Sequence, residues 1–177
     1  MERLLERERD ELLRLARGAV EAAARGFETP RRADVEGPLA RSCGAFVTLR
    51  VDGRLRGCMG LPRTDRPLAD VVLDMASAAV LRDGRFDAIR PEEIEGLSIE
   101  ISVLSELVPI SSPEEIVIGR DGLLVEAGDA VGLLLPQVAV RHRFSAVRFL
   151  RETCAKAGIE PDGWRRARVF RFSAEVF

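Results

Sequence analysis

The dipeptide Asp52-Gly53, set between two alternating stretches, constrains the fold of this chain more than any other feature. Phe46-Val-Thr-Leu-Arg-Val51 precedes it and Arg54-Leu-Arg-Gly-Cys-Met59 follows it. Asp-Gly between such runs is a strong short-range hairpin signal, because the turn needs positive φ. Two registers compete. A two-residue loop pairs Val51 with Arg54 and Val47 with Cys58, which mixes apolar and charged side chains on each face. A three-residue loop, Asp52-Gly53-Arg54, pairs Val51 with Leu55, Leu49 with Gly57 and Val47 with Met59. One face is then apolar, and the other holds Arg50, Arg56, Thr48 and Cys58. A one-residue slip inverts every side chain, so the cleaner pattern is expected. Cys58 therefore belongs on the polar face.

Helical spacing flanks this hairpin. Glu2 to about Arg25 carries Leu5, Leu12, Leu15, Ala16, Ala19 and Ala23 among charges, and Gly26 stands where a helix stops. Thr29 to Leu39 reads as an ordered loop. Pro67 suits the first turn of a helix running to Leu81, with Leu68, Val71, Val72, Met75 and Ala79 as its buried stripe. Ser98 to Leu104 alternates as a strand. Gly122–Glu126 and Val131–Leu135 are short strands around Gly128-Asp129. Ser145 to Ala157 is a helix closed by Gly158 and Pro161, and Arg168 to Phe177 is expected to be one final strand. Helices bracketing a strand-rich middle indicate one α+β domain, residues 1–177, mainly an antiparallel sheet flanked by helices. Residues 1–26 form an N-terminal helix packing on it.

Composition narrows the setting. The chain has 177 residues, 46% apolar and 32% charged, enough for a self-sufficient core. Net charge is −2, so no global field draws it to nucleic acid or an anionic membrane. No apolar run approaches the ~20 residues of a membrane span. The first residues, MERLLERERD, are charged where a secretory leader is apolar. Cys43, Cys58 and Cys154 are sparse, odd in number and far apart, which fits a reducing cytoplasm better than a disulfide framework. No spaced Cys/His set suggests a metal, and no glycine-rich phosphate loop suggests a nucleotide cofactor. The expectation is a cytoplasmic protein with neither.

Leu55-Arg-Gly-Cys-Met-Gly60 is the segment in which chemistry is to be sought. Gly57 and Gly60 flank the cysteine and can permit positive φ and close approach of a ligand. Arg56 and Arg50 can favour the reactive thiolate. The alternative is that Cys58 is a small buried residue and the glycines serve a bulge. Both readings stand on these residues alone.

The same six residues resemble the signature of the AMMECR family, LRGC followed by an aliphatic residue and glycine. Gly44-Ala-Phe-Val-Thr-Leu49, Arg82-Asp-Gly-Arg-Phe86, Glu100-Ile-Ser-Val-Leu104, Gly119-Arg-Asp-Gly-Leu123, Leu133-Leu-Leu-Pro-Gln-Val-Ala139, Thr153-Cys-Ala-Lys-Ala-Gly158 and Ala174-Glu-Val-Phe177 resemble further family blocks, in order. The resemblance implies a two-lobed α+β fold and a setting rather than a reaction. Similar domains in bacteria and archaea are associated with Memo-like and radical SAM proteins, a grouping called AmmeMemoRadiSam. Met59 stands for the usual isoleucine, Leu61 for threonine, Gly84 for proline and Asp121 for a frequent histidine. His142-Arg143-Phe144 replaces a region where relatives often carry tryptophan.

Other residues join the candidate set. Glu100 and Ser102 share the polar face of their strand, where Glu100 can act as a base beside Cys58 or simply be solvated. Asp83 and Arg85 either brace a turn or bind an anion. Gln137, after Pro136, reads a substrate amide or caps a strand end. His142 is the only histidine, in a polar loop between Arg141 and Arg143. The leading expectation is a small-molecule or peptide-binding accessory component of a radical SAM and Memo-associated modification pathway. Its site would comprise Cys58, Arg56, Gly57, Gly60, Thr48, Glu100, Ser102, Arg85 and Gln137. The rival is a free-standing cysteine-dependent enzyme with Glu100 or His142 as proton acceptor. A nucleic-acid-associated regulator is the weakest reading, with aromatics at 5%.

Overall fold

The computed structural model of the chain describes residues 3–29 and 36–177. Its elements are α1 (Glu6–Ala24), β1 (Ala45–Val51), β2 (Arg54–Leu61), α2 (Leu68–Leu81), β3 (Leu97–Leu104), β4 (Val108–Ile110), β5 (Gly122–Ala127), β6 (Ala130–Leu134), α3 (Pro136–Arg141), α4 (Ala146–Lys156), β7 (Arg168–Phe172) and β8 (Ala174–Val176). The α+β class is the one expected, with the strands divided between two sheets, β2-β1-β3-β8 and β4-β7-β5-β6. The chain separates into two compact units, Met1–Val103 with Glu175–Phe177, and Leu104–Ala174. Most of the loop expected over Thr29–Leu39 lies outside the described residues.

In the first unit, the hairpin satisfies both competing constraints in turn. Asp52 and Gly53 have φ of 48° and 75°, so the tip is a two-residue turn, and Val51 pairs with Arg54 and Arg50 with Leu55. The expected Val51–Leu55 pair is thereby corrected. A bulge at Arg56 then absorbs one residue, and beyond it Leu49 pairs with Gly57, Thr48 with Cys58 and Val47 with Met59, as the apolar pattern demands. Turn chemistry wins at the tip and burial wins in the body.

The apolar face of this sheet holds Ala45, Val47, Leu49, Ile101 and Val103, all without exposed surface. Helix α2 packs on β1 and β2, and α1 packs on α2. The expected α2 stripe is buried, joined by Ala69, Leu73, Ala76, Ala78 and Val80. In α1, Leu12, Ala16, Ala19, Val20 and Ala23 are buried, but Leu5 is the exposed residue before the first turn, and Leu4 is buried instead. Gly26 has φ of 75°, as its helix-stop position requires. The closing segment is two strands, not one. β7 pairs with β4 and β5, whereas β8 joins the edge of the first sheet, where Phe177 and Ile101 exchange backbone hydrogen bonds at 2.8 and 3.1 Å. Alternation alone could not reveal a strand that changes sheets midway.

The second unit is built around Ile110, Leu123, Val125, Phe149, Leu150, Cys154, Trp164 and Val169. Helix α4 lies on β5 and β6, with Ser145 capping it by accepting from the Arg148 N–H at 3.3 Å. Two elements, β4 and α3, were not legible in the sequence because they are too short for a period to show.

Both units seat a helix on a sheet glycine. A Cβ on Gly57 would collide with the carbonyl oxygen of Ala79 in α2, and one on Gly132 would collide with the backbone of Thr153 and Ala157 at the end of α4. Backbone cannot yield as a flexible side chain does. Gly57→Ala and Gly132→Ala are each expected to destabilise the protein by about 1–3 kcal/mol, the usual range for overpacking. Urea unfolding monitored by circular dichroism checks this; unchanged midpoints would remove the close-packing explanation.

Candidate functional site

Strand alternation sets the site. In the first sheet Cys58 is opposite Thr48, and Thr48 is opposite Glu100, so the three residues form one row across β2, β1 and β3. The row one level along is Gly60, Phe46 and Ser102. Both rows lie on the face opposite the α2 contact, since their strand neighbours Val47, Leu49 and Ile101 fill the core. The Thr48 hydroxyl donates to Cys58 Sγ at 3.3 Å. Cys58 is half-buried and Thr48 is buried.

A loop after α2 supplies the electrostatics. The Asp83 carboxylate, 8% exposed, accepts from the Cys58 backbone N–H at 2.8 Å. It also accepts from Arg85 through Nε at 2.8 Å, Nη2 at 2.7 Å and the backbone N–H at 3.3 Å. The Arg85 hydrogen bonds are the largest cause holding the Asp83 carboxyl down at about 2, and the Cys58 N–H adds to them against the opposing effect of burial. Arg85 is in turn held charged, first by Asp83 and to a smaller degree by its Coulombic interaction with Cys58. Its side chain remains 52% exposed and lies over the Phe86 ring at 5.3 Å. Of the two meanings open for the Asp83–Arg85 pair, bracing is realised, and it extends to the cysteine strand.

Several expectations change. Arg56 is not the electrostatic neighbour of Cys58. The bulge takes it out of alternation, and its guanidinium binds Glu93 through Nε at 2.9 Å and Nη2 at 3.2 Å and the Asp87 carbonyl at 3.3 Å. That pair holds the Glu93 carboxyl at about 2, helped by the Arg90 N–H. Gly57 and Gly60 do not take positive φ; helix α2 fills the space beside one and the Phe46 ring the space beside the other. Glu100 is not beside Cys58. Two strand spacings separate them, about 10 Å, with Thr48 between.

Ser102 is fully buried and its hydroxyl has no hydrogen-bond partner. Gln137 and His142 belong to the second unit, Gln137 in the first turn of α3 and His142 at its C-terminal cap, stacked on Phe144 with centroids 5.3 Å apart. Cys154 is core, and burial raises its thiol, as it does that of Cys43. Among the described residues no group of three His, Cys, Asp or Glu side chains could hold a metal ion. No helix among them is long and apolar enough to cross a membrane.

Asp83 is the residue of the candidate site that sequence reasoning undervalued. Its partner on β2 is 25 positions away, and only the fold brings them together. The signal present was local: an aspartate just past a helix, two residues before an arginine whose N–H it accepts.

The low carboxyl value has a sign. An unfolded aspartate titrates near 3.9, so the Asp83 contribution is complete above about pH 4 and is lost as pH falls towards 2. Asp83→Asn is expected to lose up to about 2 kcal/mol at pH 7 and to flatten part of the stability slope between pH 4 and 2. Glu93, also held at about 2, keeps the remainder. Urea midpoints across that window check it; a wild-type slope surviving intact in the variant would refute the assignment.

The comparisons with known proteins agree with this architecture. The AMMECR1 family model matches residues 13–177. A protein from Methanothermobacter thermautotrophicus is 41% identical over 175 residues, covering 94% of this chain and 91% of its own. One from Thermococcus gammatolerans is 42% identical over 181 residues, covering 94% and 87%. The crystal structure of the uncharacterised protein PH0010 from Pyrococcus horikoshii superposes with a TM-score of 0.85 at 38% identity, covering 94% of this chain and 88% of that one. With a family model spanning nearly its whole length, this chain belongs to the AMMECR1 family.

Proposed function

We propose that this protein is a binding component for a small molecule or peptide, acting beside radical SAM and Memo-like partners in a modification pathway, with its site on the Cys58 face of the first sheet. The observation that carries the binding reading over the catalytic one is the separation of Cys58 from Glu100. A general base works within about 3 Å of the proton it removes, or through one water. Glu100 is two strands away, and the carboxylate bound to the Cys58 backbone, Asp83, spends its oxygens on the Cys58 N–H and Arg85. The thiol accepts from the Thr48 hydroxyl, and the Cys58 backbone N–H is tied through Asp83 to the Arg85 guanidinium; a hydroxyl donor and a braced guanidinium are recognition groups.

Three cysteines in different environments allow a direct test. Iodoacetamide at neutral pH is expected to modify Cys58 well before Cys154, which is fully buried and whose thiol burial raises. Peptide mapping by mass spectrometry gives the order. Ligands are then screened for protection of Cys58, and Cys58→Ala and Arg85→Gln are expected to weaken whatever protects. Cys58 reacting no faster than Cys154 in the folded protein would end the proposal of an accessible site. The partnership is tested separately, by co-purification with radical SAM and Memo-like proteins.

A further inference from the structure

The second unit holds a cavity of about 220 Å³ between helix α4, strands β4 and β7 and the short turn Gly163–Arg165. Ile110, Leu150, Trp164 and Val169 line it and are all buried. Ser111 and Arg165 also line it and are exposed, so the cavity reaches solvent. Arg165 is the only charged side chain lining it among the described residues. Its guanidinium lies over the Trp164 ring, 4.5 Å from the centroid, and has no ion pair among those residues. Trp164 is 8% exposed, and its indole N–H has no hydrogen-bond acceptor. A buried indole N–H usually finds one. The carboxylates nearby are engaged elsewhere. Asp162 is held low chiefly by Arg151, through Nε at 3.0 Å and Nη2 at 3.1 Å, and less by Arg165 and Trp164. Glu115 accepts the Ser111 and Ser112 N–H groups at 2.8 and 3.1 Å, and Glu114 accepts the Ser112 hydroxyl.

Apolar walls beside one unneutralised cation and one unanswered N–H donor suit an amphipathic anion. We infer that the cavity binds a small carboxylic acid with a short apolar body, its carboxylate on Arg165 and its chain against Ile110, Leu150 and Val169. A carboxylate matches the guanidinium fork, which can donate two parallel N–H bonds to it. It brings one negative charge, whereas a phosphate group would bring nearly two close to Glu114 and Glu115. Drug-sized ligands occupy cavities of about 300–1,000 Å³, so this smaller one takes a single short chain or ring. The site lies in the other unit from Cys58 and does not depend on the binding reading of that face.

The chain has one tryptophan and no tyrosine, so the intrinsic fluorescence of the full-length protein reports on Trp164 directly. The test titrates hexanoate, hexanol and hexylammonium, which share a chain and differ in charge. Hexanoate is expected to change the Trp164 emission saturably, and hexanol to bind about tenfold more weakly, the loss of one charge-assisted contact. Hexylammonium is expected to be weaker than hexanol. In Arg165→Gln hexanoate is expected to fall to the level of hexanol. Ala167→Leu adds a side chain at the cavity wall and is expected to abolish binding of all three. Circular dichroism confirms that each variant is folded. An emission change that does not saturate, or hexanol binding as tightly as hexanoate, overturns the inference. So does hexanoate affinity that is unweakened in folded Arg165→Gln or folded Ala167→Leu.

Discussion

A single buried carboxylate organises the site. Asp83 collects four N–H groups, one from the backbone of Cys58 and three from Arg85. Taking a charge out of water is costly, and only a full set of donors offsets it. The geometry is therefore cooperative: fixing the Cys58 backbone fixes Asp83, and fixing Asp83 aims Arg85. β2 is an edge strand, and edges expose unpaired donors. Asp83 covers one of them, at the residue whose side chain faces the polar row. The same carboxylate that finishes the sheet edge also holds the Arg85 guanidinium.

This arrangement depends on how closely α2 approaches β2. Gly57 lets the helix backbone sit directly on the strand next to Cys58, and the loop carrying Asp83 begins one residue past the helix end. A side chain at position 57 would lift the helix and with it the loop. The glycines around the cysteine thus act through packing. Their contribution to a site is indirect but strong, because interiors are packed too densely to absorb such a change.

The two arginines of this region show why charge near a cysteine in sequence is a poor guide to charge near it in space. Arg56 is two residues from Cys58, yet the bulge and Glu93 take its guanidinium elsewhere. Arg85 is far along the chain and is tied to the Cys58 backbone through Asp83. Likewise Glu100 shares a row with Cys58 but is separated from it by a whole strand. Sharing a face is not being within proton-transfer distance.

Much of this was written locally. The periodicity of residues 68–81 and 146–156, the stop at Gly26 and the alternation of residues 97–104 each specify an element from neighbouring residues, so the α+β class and the polar placement of Cys58 could be read directly. The hairpin tip was also local, since Asp52-Gly53 favours positive φ at both positions. Tertiary structure decided what required two distant segments at once. The bulge at Arg56 reconciles the tip with the buried face; the last residues divide between two sheets; and Asp83 finds the N–H of Cys58. Local sequence fixes periods and turns because those energies involve residues a few positions apart. The partners of a buried charge are set by chain crossings, and no period in the sequence encodes them.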